Sequence, residues 1–541
     1  MTEILRIQGY SLFSLPWSVQ FIAFVIVALS LRYIRSIWFQ SSNSFPPRVH
    51  TWLPLSLDYI ARSIIYNYKH QNLLLWEELF VKHHPSETLE VKIGSKSIII
   101  SRDPENVKAI LATQFAEYGK GENFHREWKP FLGDAIFTTD GDQWHSSRAL
   151  IRPMFARDRV SDLSTFERHT SKLITILSSP KLEGKPVDVH NLFLRLTMDI
   201  ATDFLLGSSV NSLDNPTNKF TEAFATVQQI QSWITMAGPF QTFIPKEAYN
   251  QGLQTINSFV EPFITKTLAL LPEELEAASS KETNFLTALA TFTRDPKMIR
   301  DQLVSVLLAA RDTTAASLSW VIYELSAQPG MVQRLRREIL STVGPASQPS
   351  HTDLKSMRYL QAVLKETLRL YPAIPYNMRL ALKDTTLPRG GGPRGELPIS
   401  IKKDTLIAYS PLSMQRQMGL YPETYPDKRP FPDPSKFEPE RWIYNGRDNG
   451  ASTAALPEGV DCKTGQWIPK PWTYIPFNGG PRICIGQQFA LAEMAYTLVK
   501  IFQKYSRVER QMEEKECGVL RANIVLTPAH GVRVVLLEDS P

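Results

Sequence analysis

The chain has 541 residues, a formal net charge of +6 at pH 7 and 43% hydrophobic residues, which suits a large buried core. The modest basic excess fits a membrane surface or an acidic protein partner. Because no long run of Lys or Arg occurs, we expect no nucleic-acid partner. Only three cysteines are present (Cys462, Cys484 and Cys517), which argues against a disulfide framework and indicates a reducing compartment for most of the chain.

The amino end is predicted to anchor the chain in a membrane. No charged residue occurs from Ile7 to Leu31, and roughly 20 apolar residues suffice to span a bilayer as a helix. Arg32 and Arg35 follow at once, so the positive-inside tendency places the rest of the chain in the cytosol. A cleaved signal peptide is the alternative, although no small-residue cleavage site follows. The predicted organisation is a membrane anchor over residues 1–40, a proline-containing hinge over 41–48 and one folded domain over 49–541.

Two β-hairpins are predicted, one near each end of the folded domain. Leu89 to Ser101 alternates around a glycine turn, and residues 524–527 and 532–535 flank a second turn. After the first hairpin comes an aromatic-rich loop that includes Phe124 and Phe131. Such a loop is usually ordinary core.

A helix with one aromatic and basic face is predicted next. Trp144 and Arg148 are four residues apart and therefore share one helix face. Arg152, Arg157 and Arg159 make the end of this helix basic. The basic end is either a solvated surface or a docking patch for an acidic protein partner. A series of amphipathic helices is predicted beyond it, with no catalytic group of residues that the sequence identifies.

One long helix is predicted between Asp295-Pro296, a helix-start signal, and Pro329-Gly330, a stop signal. About 30 residues at ~1.5 Å each would cross a whole domain. The middle of this helix reads Ala-Ala-Arg-Asp-Thr-Thr over residues 309–314. An acid and two threonines in an apolar stretch are costly unless they are hydrogen-bonded. Threonine hydroxyls that bond to the carbonyl four residues earlier would satisfy them in a purely structural helix.

Two charged residues lie inside a strongly apolar helix. Glu366 and Arg369 are three apart and share a helix face, and Arg441 follows downstream in the sequence Pro-Glu-Arg. Buried charges of both signs must satisfy one another, and the removal of one strands its partners at ~3–5 kcal/mol. A surface ion pair is the alternative, which the apolar flanks argue against.

Residues 477–488 read Phe-Asn-Gly-Gly-Pro-Arg-Ile-Cys-Ile-Gly-Gln-Gln and place Cys484 just before a helix predicted over about 486–503. Backbone amides and the positive end of a helix lower the pKa of a thiol and favour the thiolate. A thiolate can be an axial iron ligand, and its electron donation favours O–O cleavage. Arg482, two residues before Cys484, could neutralise a propionate group of an iron-containing cofactor. An inert, buried thiol is the alternative.

This loop resembles the haem-binding signature of the cytochrome P450 family, Phe-x-x-Gly-x-Arg-x-Cys-x-Gly. The matching residues are Phe477, Gly480, Arg482, Cys484 and Gly486. Four further segments are similar to family motifs in the family order, namely Trp144 to Arg148, residues 309–314, Glu366 to Arg369 and residues 439–441. The resemblance covers nearly the whole chain. It implies a mainly α fold with small β-sheets, the cytochrome P450 fold, preceded here by an N-terminal transmembrane helix.

The resemblance also implies a role for each matched residue. Cys484 would ligate the iron of haem b, while Thr313 and Asp312 would guide protons to bound dioxygen. Glu366, Arg369 and Arg441 would give structural support to the haem loop. Residues implied to contact the haem are Trp144, Arg148, Ala310 (where glycine is usual), Arg379, Phe477, Gly480, Arg482 and Gly486. Residues implied to line the substrate pocket are Phe124, Phe131, Ile374 and Tyr376.

The implied reaction inserts one atom of dioxygen into a hydrophobic substrate, with electrons from NADPH that arrive through a flavoprotein reductase. The implied location is the endoplasmic reticulum membrane, with a single span and a cytosolic catalytic domain over residues 49–541. The segment Phe477 to Leu491 looks like that of fungal alkane and fatty-acid hydroxylases. A long-chain alkane or fatty acid is therefore the first expected substrate. A tailoring monooxygenase of fungal secondary metabolism is the alternative, and a haem-thiolate isomerase or a non-catalytic haem protein is a more remote one.

Overall fold

The computed structural model describes residues 45–94, 96–155, 163–281, 284–425, 430–443 and 467–539, together with Trp17, Gln20 and Val27. Apart from these three residues, the expected membrane anchor and the first part of the hinge lie outside the described residues. Among the helices of the described ranges, none is long and apolar enough to span a bilayer.

The described chain is mainly helical, as expected from the sequence. Its helices are α1 (Leu57–Tyr68), α2 (Asn72–Lys82), α3 (Pro104–Lys108), α4 (Glu122–Leu132), α5 (Gly141–Ile151), α6 (Ser164–Leu177), α7 (Val189–Leu206), α8 (Lys219–Ala237), α9 (Glu247–Leu268), α10 (Pro272–Lys281), α11 (Phe285–Ala290), α12 (Pro296–Leu325), α13 (Pro329–Thr342), α14 (His351–Ser356), α15 (Arg358–Leu370), α16 (Pro411–Met414) and α17 (Gln487–Lys504).

Small β-sheets pack beside the helices. The strands are β1 (Thr88–Ile93), β2 (Lys96–Ser101), β3 (Tyr118–Gly119), β4 (Val187–Asp188), β5 (Asn377–Ala381), β6 (Thr385–Gly391), β7 (Leu397–Ile401), β8 (Leu406–Tyr409), β9 (Arg507–Arg510), β10 (Leu520–Ala522), β11 (Leu526–Pro528) and β12 (Arg533–Leu537). The largest sheet has the order β1-β2-β8-β5-β3. In it β1 and β2 form the expected antiparallel hairpin, in which Thr88 pairs with Ser101.

The prediction that residues 524–527 and 532–535 pair as a hairpin at the carboxyl end is wrong. Strand β11 pairs with the preceding β10, so that Leu526 lies opposite Ala522. Strand β12 pairs instead with β9 and with β4. The local pattern of apolar residues marked the strands but did not determine their partners, because partner choice depends on packing against distant elements.

Helix α12 passes through both large core clusters and so organises the molecule. It begins where Asp295 caps it by accepting a hydrogen bond from the backbone N–H of Lys297. Its first half, with Leu303 and Leu307, packs in the cluster that also contains residues of α4, α8 and α9. Its second half, with Leu318, packs in the cluster built from α7, α13, α15 and α17. Residues 309–314 therefore lie where the two clusters meet.

Candidate cofactor-binding and catalytic site

The cysteine loop turns at Gly480, whose φ of +64° lies in the left-handed region. A Cβ at this position would lie 1.9 Å from the carbonyl oxygen of Leu111, so only glycine fits. The backbone N–H of Cys484 donates to the carbonyl of Phe477 at 2.9 Å. The loop is therefore shaped by its own backbone and presents Cys484 just before α17 begins at Gln487.

The Cys484 thiol has accessible surface, yet it lies deep among protein atoms. Burial raises the pKa of Cys484, whereas the hydrogen bond from the Gly486 amide and the charge of Arg148 lower it. The expectation that the helix start gives this thiol a lowered pKa is therefore wrong, because the cost of desolvation is the larger effect. A thiolate would form as iron displaces the proton, since a metal ligates the deprotonated sulfur.

Cationic side chains gather beside the cysteine loop. Arg482 donates from Nη2 to Asp140 Oδ1 at 2.6 Å and to the Thr139 carbonyl at 2.9 Å. Its buried Nε has no partner among the described residues. Arg379 is buried, and the hydrogen bond that the structure gives its side chain goes to the carbonyl of its own neighbour, Met378, at 2.8 Å.

Lys120 completes this cation cluster, which we define as Lys120, Arg379 and Arg482. Burial, followed by repulsion from Arg379 and Arg482, lowers the pKa of Lys120 well below its ordinary range, while Asp140 raises it. Burial, followed by repulsion from Arg379, also lowers the pKa of Arg482 to about 10. Asp140 is the carboxylate bonded to this cluster, and the guanidinium groups of Arg379 and Arg482 together exceed its charge, so the cluster is positive.

Trp144 and Arg148 on α5 contact the cysteine loop directly. Trp144 is buried, and the guanidinium carbon of Arg482 lies 4.6 Å from the centre of its ring. Arg148 donates from Nη1 to the carbonyl of Ile483 at 3.1 Å. The helical spacing of the two residues thus brings both against the two residues that precede Cys484. Arg157 and Arg159, expected to extend this basic surface, lie outside the described residues.

The residues present fit a haem. Surplus buried cations, including an Arg482 nitrogen without a partner, suit the two propionate carboxylates, and the accessible Cys484 sulfur suits iron. A Cβ at Gly486 would meet Phe155 at an ordinary 3.7 Å, so packing within the described part of the chain does not require glycine there. Close approach of a flat cofactor would require it.

The middle of α12 carries the expected acid and alcohol. The Thr313 hydroxyl donates to the Ala309 carbonyl at 2.7 Å, which leaves its oxygen free to accept a hydrogen bond. Asp312 Oδ2 accepts a hydrogen bond from Gln228 Nε2. Ala310 is partly buried against the same core cluster as Ile485, the residue that follows Cys484. The helix centre and the cysteine loop thus both pack against this cluster.

The three charged residues predicted to support the loop form one buried network. The Glu366 carboxylate accepts hydrogen bonds from Nε and Nη2 of Arg369, each at 2.8 Å, and from Nε of Arg441 at 3.2 Å. Trp442 Nε1 donates to the same carboxylate at 2.9 Å. Attraction and hydrogen bonds from the arginines outweigh burial, so the pKa of Glu366 is lowered.

The four residues expected to line a substrate pocket have different surroundings. Phe131 is fully buried, and its ring centre lies 5.6 Å from that of Phe224. Phe124 is partly buried under the ammonium group of Lys120, which lies 4.7 Å from its ring centre. Ile374 and Tyr376 are also partly buried. The Tyr376 hydroxyl has no partner among the described residues.

Sequence reasoning missed three residues of this site, namely Lys120, Asp140 and Gln228. The backbone N–H groups of Lys120 and Gly121 donate to Asp140 at 2.8 Å. No motif marks any of the three, since each acts across a long separation in sequence. Only the closeness of Asp140 to the Trp144 motif offered a signal.

Comparison with known proteins gives consistent relatives. Residues 63–534 match the family model of cytochrome P450. The chain is 42% identical to cytochrome P450 monooxygenase pvhE of Talaromyces variabilis, with 96% of each chain covered. It is 38% identical to cytochrome P450 52A13 of Debaryomyces hansenii, with 83% of each chain covered. It is 37% identical to cytochrome P450 52A1 of Candida tropicalis, over 85% of this chain and 82% of that one.

A solved structure shares the fold. The crystal structure of the cytochrome P450DA haem domain superposes with a TM-score of 0.72 at 19% identity, and the match covers 92% of this chain and 98% of that one.

Proposed function

Because the chain belongs to the cytochrome P450 family and is a monooxygenase of that family, we propose that Cys484 holds haem b for the oxidation of a small hydrophobic substrate. The proposed reaction converts RH, O₂, NADPH and H⁺ into ROH, H₂O and NADP⁺. When bound, the haem supplies dioxygen binding and O–O cleavage, which a thiolate ligand favours. The observation that carries the proposal is the accessible Cys484 sulfur beside a surplus of buried cations.

The propionates are held by the cation cluster and by α5. Arg482 and Arg379 supply guanidinium groups that match carboxylates in shape and charge. Trp144 supplies an indole N–H, and Arg148 supplies a further charge beside the loop. Phe477, Gly480 and Gly486 shape the loop around the cofactor, and Ala310 faces it from α12.

Asp312 and Thr313 deliver the protons that the reaction consumes. The carboxylate of Asp312 would relay protons, and the Thr313 oxygen, which has accepting capacity beyond its bond to Ala309, would pass them into the cofactor site. The Ala310 methyl narrows the space next to this pair.

Glu366, Arg369 and Arg441 have a structural role. Besides the ion pairs, Arg369 donates to the Pro434 carbonyl at 2.6 Å and to the Lys436 carbonyl at 3.0 Å. The network therefore fixes the chain that precedes the cysteine loop.

Electrons arrive from NADPH through a flavoprotein reductase, which is the proposed protein partner. The exposed basic end of α5, with Arg152, is the proposed docking surface. It lies next to Arg148, whose bond to Ile483 leads directly to the cysteine loop.

The folded domain, proposed as residues 49–541, rests on the cytosolic face of the endoplasmic reticulum behind a single amino-terminal span. An exposed apolar patch supports this location. It contains Trp52 and Phe243, each 82% exposed, with Ile64 and Phe240. Asn67 Nδ2 lies 3.7 Å from Met236 Sδ, so the two segments that carry the patch adjoin. An exposed patch of this kind suits insertion between lipids.

The proposed substrate is a long-chain alkane or fatty acid, which the likeness of Phe477 to Leu491 to fungal hydroxylases of that class supports. Phe124, Phe131, Ile374 and Tyr376 are proposed to line its pocket. A tailoring step on a fungal polyketide or terpenoid is the second candidate. This second candidate is supported by the comparison, because the chain matches the Talaromyces variabilis monooxygenase with higher identity and coverage than the yeast cytochrome P450 52 proteins.

The test is a reduced carbon-monoxide difference spectrum of membranes that contain wild type or Cys484→Ala. We expect a thiolate-type Soret band in wild type and its loss in the variant. A band typical of histidine ligation in wild type would overturn the proposal. Turnover that requires NADPH, reductase and oxygen would then separate a monooxygenase from an isomerase, and a screen of fatty acids against aromatic polyketides would separate the two substrate classes.

A further inference from the structure

The carboxylate of Asp312 is tied to a neighbouring helix by one side chain. Its Oδ2 accepts a hydrogen bond from Gln228 on α8. Its Oδ1 is buried and has no hydrogen-bond partner among the described residues. Arg311 Nη1 lies 3.5 Å from Oδ1 without completing a hydrogen bond. Gln228 is therefore the group that fixes the orientation of this carboxylate.

Helix α8 contacts this part of α12 over two consecutive turns. Phe224 and Gln228 are four residues apart and share one face of α8. The guanidinium carbon of Arg311 lies 5.9 Å from the centre of the Phe224 ring, while Gln228 binds Asp312. Arg311 and Asp312, which are adjacent on α12, are thus contacted by two residues that lie one turn apart on α8.

The next turn of α8 is fixed in turn. Gln231 is buried and donates to the Glu127 carbonyl on α4 at 3.2 Å. It also accepts a hydrogen bond from the Tyr249 hydroxyl on α9 at 2.6 Å. Because α8 is bonded to both helices, Gln228 is held at a defined position relative to α12.

We infer that Gln228 is a positioning residue for proton delivery: it holds Asp312 Oδ2, which leaves Oδ1 as the atom that receives and passes the proton. Without Gln228 the carboxylate is free to turn and complete its ion pair with the adjacent Arg311, which removes it from the proton path. The inference rests on the proposed role of Asp312. It also ties proton delivery to the position of α8, a helix that is distant in sequence from every motif of the site.

The experiment compares Gln228→Met with Gln229→Met in the full-length protein, reconstituted with reductase and dodecanoic acid as the probe substrate. Methionine keeps the size of glutamine but cannot donate the hydrogen bond. Gln229 is exposed on the same helix, so its variant controls for the helix itself. Hydrogen peroxide released per NADPH, and the solvent deuterium isotope effect on NADPH oxidation, are measured together with haem content.

We expect Gln228→Met to keep its haem but to lose about tenfold in product formed per NADPH, the loss expected for one hydrogen bond to a charged group. As this coupling falls, the peroxide released per NADPH and the solvent deuterium isotope effect should rise. Gln229→Met should match wild type in both. In the Asp312→Asn background, Gln228→Met should add nothing. If Gln228→Met keeps the coupling and the isotope effect of wild type while Asp312→Asn is uncoupled, the inference about Gln228 is overturned and the proposed role of Asp312 stands. Full coupling in Asp312→Asn would overturn the proposed role of Asp312 and this inference with it.

Discussion

Gly480 lies so close to Leu111 that a Cβ on Gly480 would stand 1.9 Å from the Leu111 carbonyl oxygen. The contact joins the cysteine loop to the helical segment after α3, more than three hundred residues earlier in the chain. It sets a steric limit on the loop that is independent of any cofactor. Gly486, at the other end of the same motif, meets no such limit among the residues that the structure describes.

The two glycines therefore predict different defects. Gly480→Ala should fail to form the loop, because both the positive φ and the backbone overlap oppose it. Gly486→Ala should keep the thermal stability of the haem-free protein and lose haem more readily. Thermal unfolding and the carbon-monoxide spectrum of both variants measure this. Equal stability of the two haem-free variants would contradict the prediction.

Loss of one partner from the Glu366 network should be severely destabilising. Glu366→Gln removes a charge that two buried arginines require, at a cost of ~3–5 kcal/mol in the free energy of unfolding. The matched control is Glu105→Gln, which breaks an exposed pair with Lys108 at the same three-residue spacing and should cost under ~1 kcal/mol. Denaturant unfolding gives both values, and similar losses in the two variants would argue that the buried network is not the cause.

Lys120→Met should have opposite effects on the protein with and without haem. Burial and repulsion from Arg379 and Arg482 oppose a charge on the Lys120 amine, so replacing this amine should stabilise the haem-free protein. The same change removes a cation for a propionate, so haem should dissociate about tenfold faster, the usual loss for a charge-assisted bond. Haem transfer to an apo-globin acceptor measures the rate, and Lys129→Met, an exposed neighbour, is the control. Slower haem loss in Lys120→Met would contradict the assignment.

Stability should fall as the pH drops from 6.5 toward 4, in part because of His190. Burial lowers the pKa of His190 to about 4, against the raising effect of Asp188. The unfolded chain, with a pKa near ~6.5, binds the proton more readily over this window, so up to ~3 kcal/mol is lost on acidification. His190→Gln should flatten the pH dependence of the melting temperature, and exposed His145→Gln should not. An unchanged slope in His190→Gln would refute the assignment.

The sequence was most informative where a property is local. Asp295-Pro296 and Pro329-Gly330 located α12 to within a few residues, because caps and helix breakers act within one turn. The Trp144, Glu366 and Cys484 motifs located segments that the fold brings together. The two strands at the carboxyl end were recognised as strands, but their pairing was predicted wrongly because it depends on distant partners.

The remaining features depend on the surroundings of each side chain. The pKa of Cys484 is raised because desolvation outweighs the nearby amide and Arg148, and no sequence pattern reports how deeply a thiol is buried. Lys120 and Gln228 lie in unremarkable stretches, and only the folded chain places them against Arg482 and Asp312. Long-range polar contacts of this kind carry no periodicity that a sequence can display.

Asp140 binds the backbone of residues 120–121 and the side chain of Arg482 at once, and so joins early segments of the chain to one that the ribosome makes more than three hundred residues later. The site that we propose for the propionates is therefore assembled by contacts internal to the polypeptide once residue 482 is in place. The timing of cofactor supply in the cell then need not match the timing of synthesis.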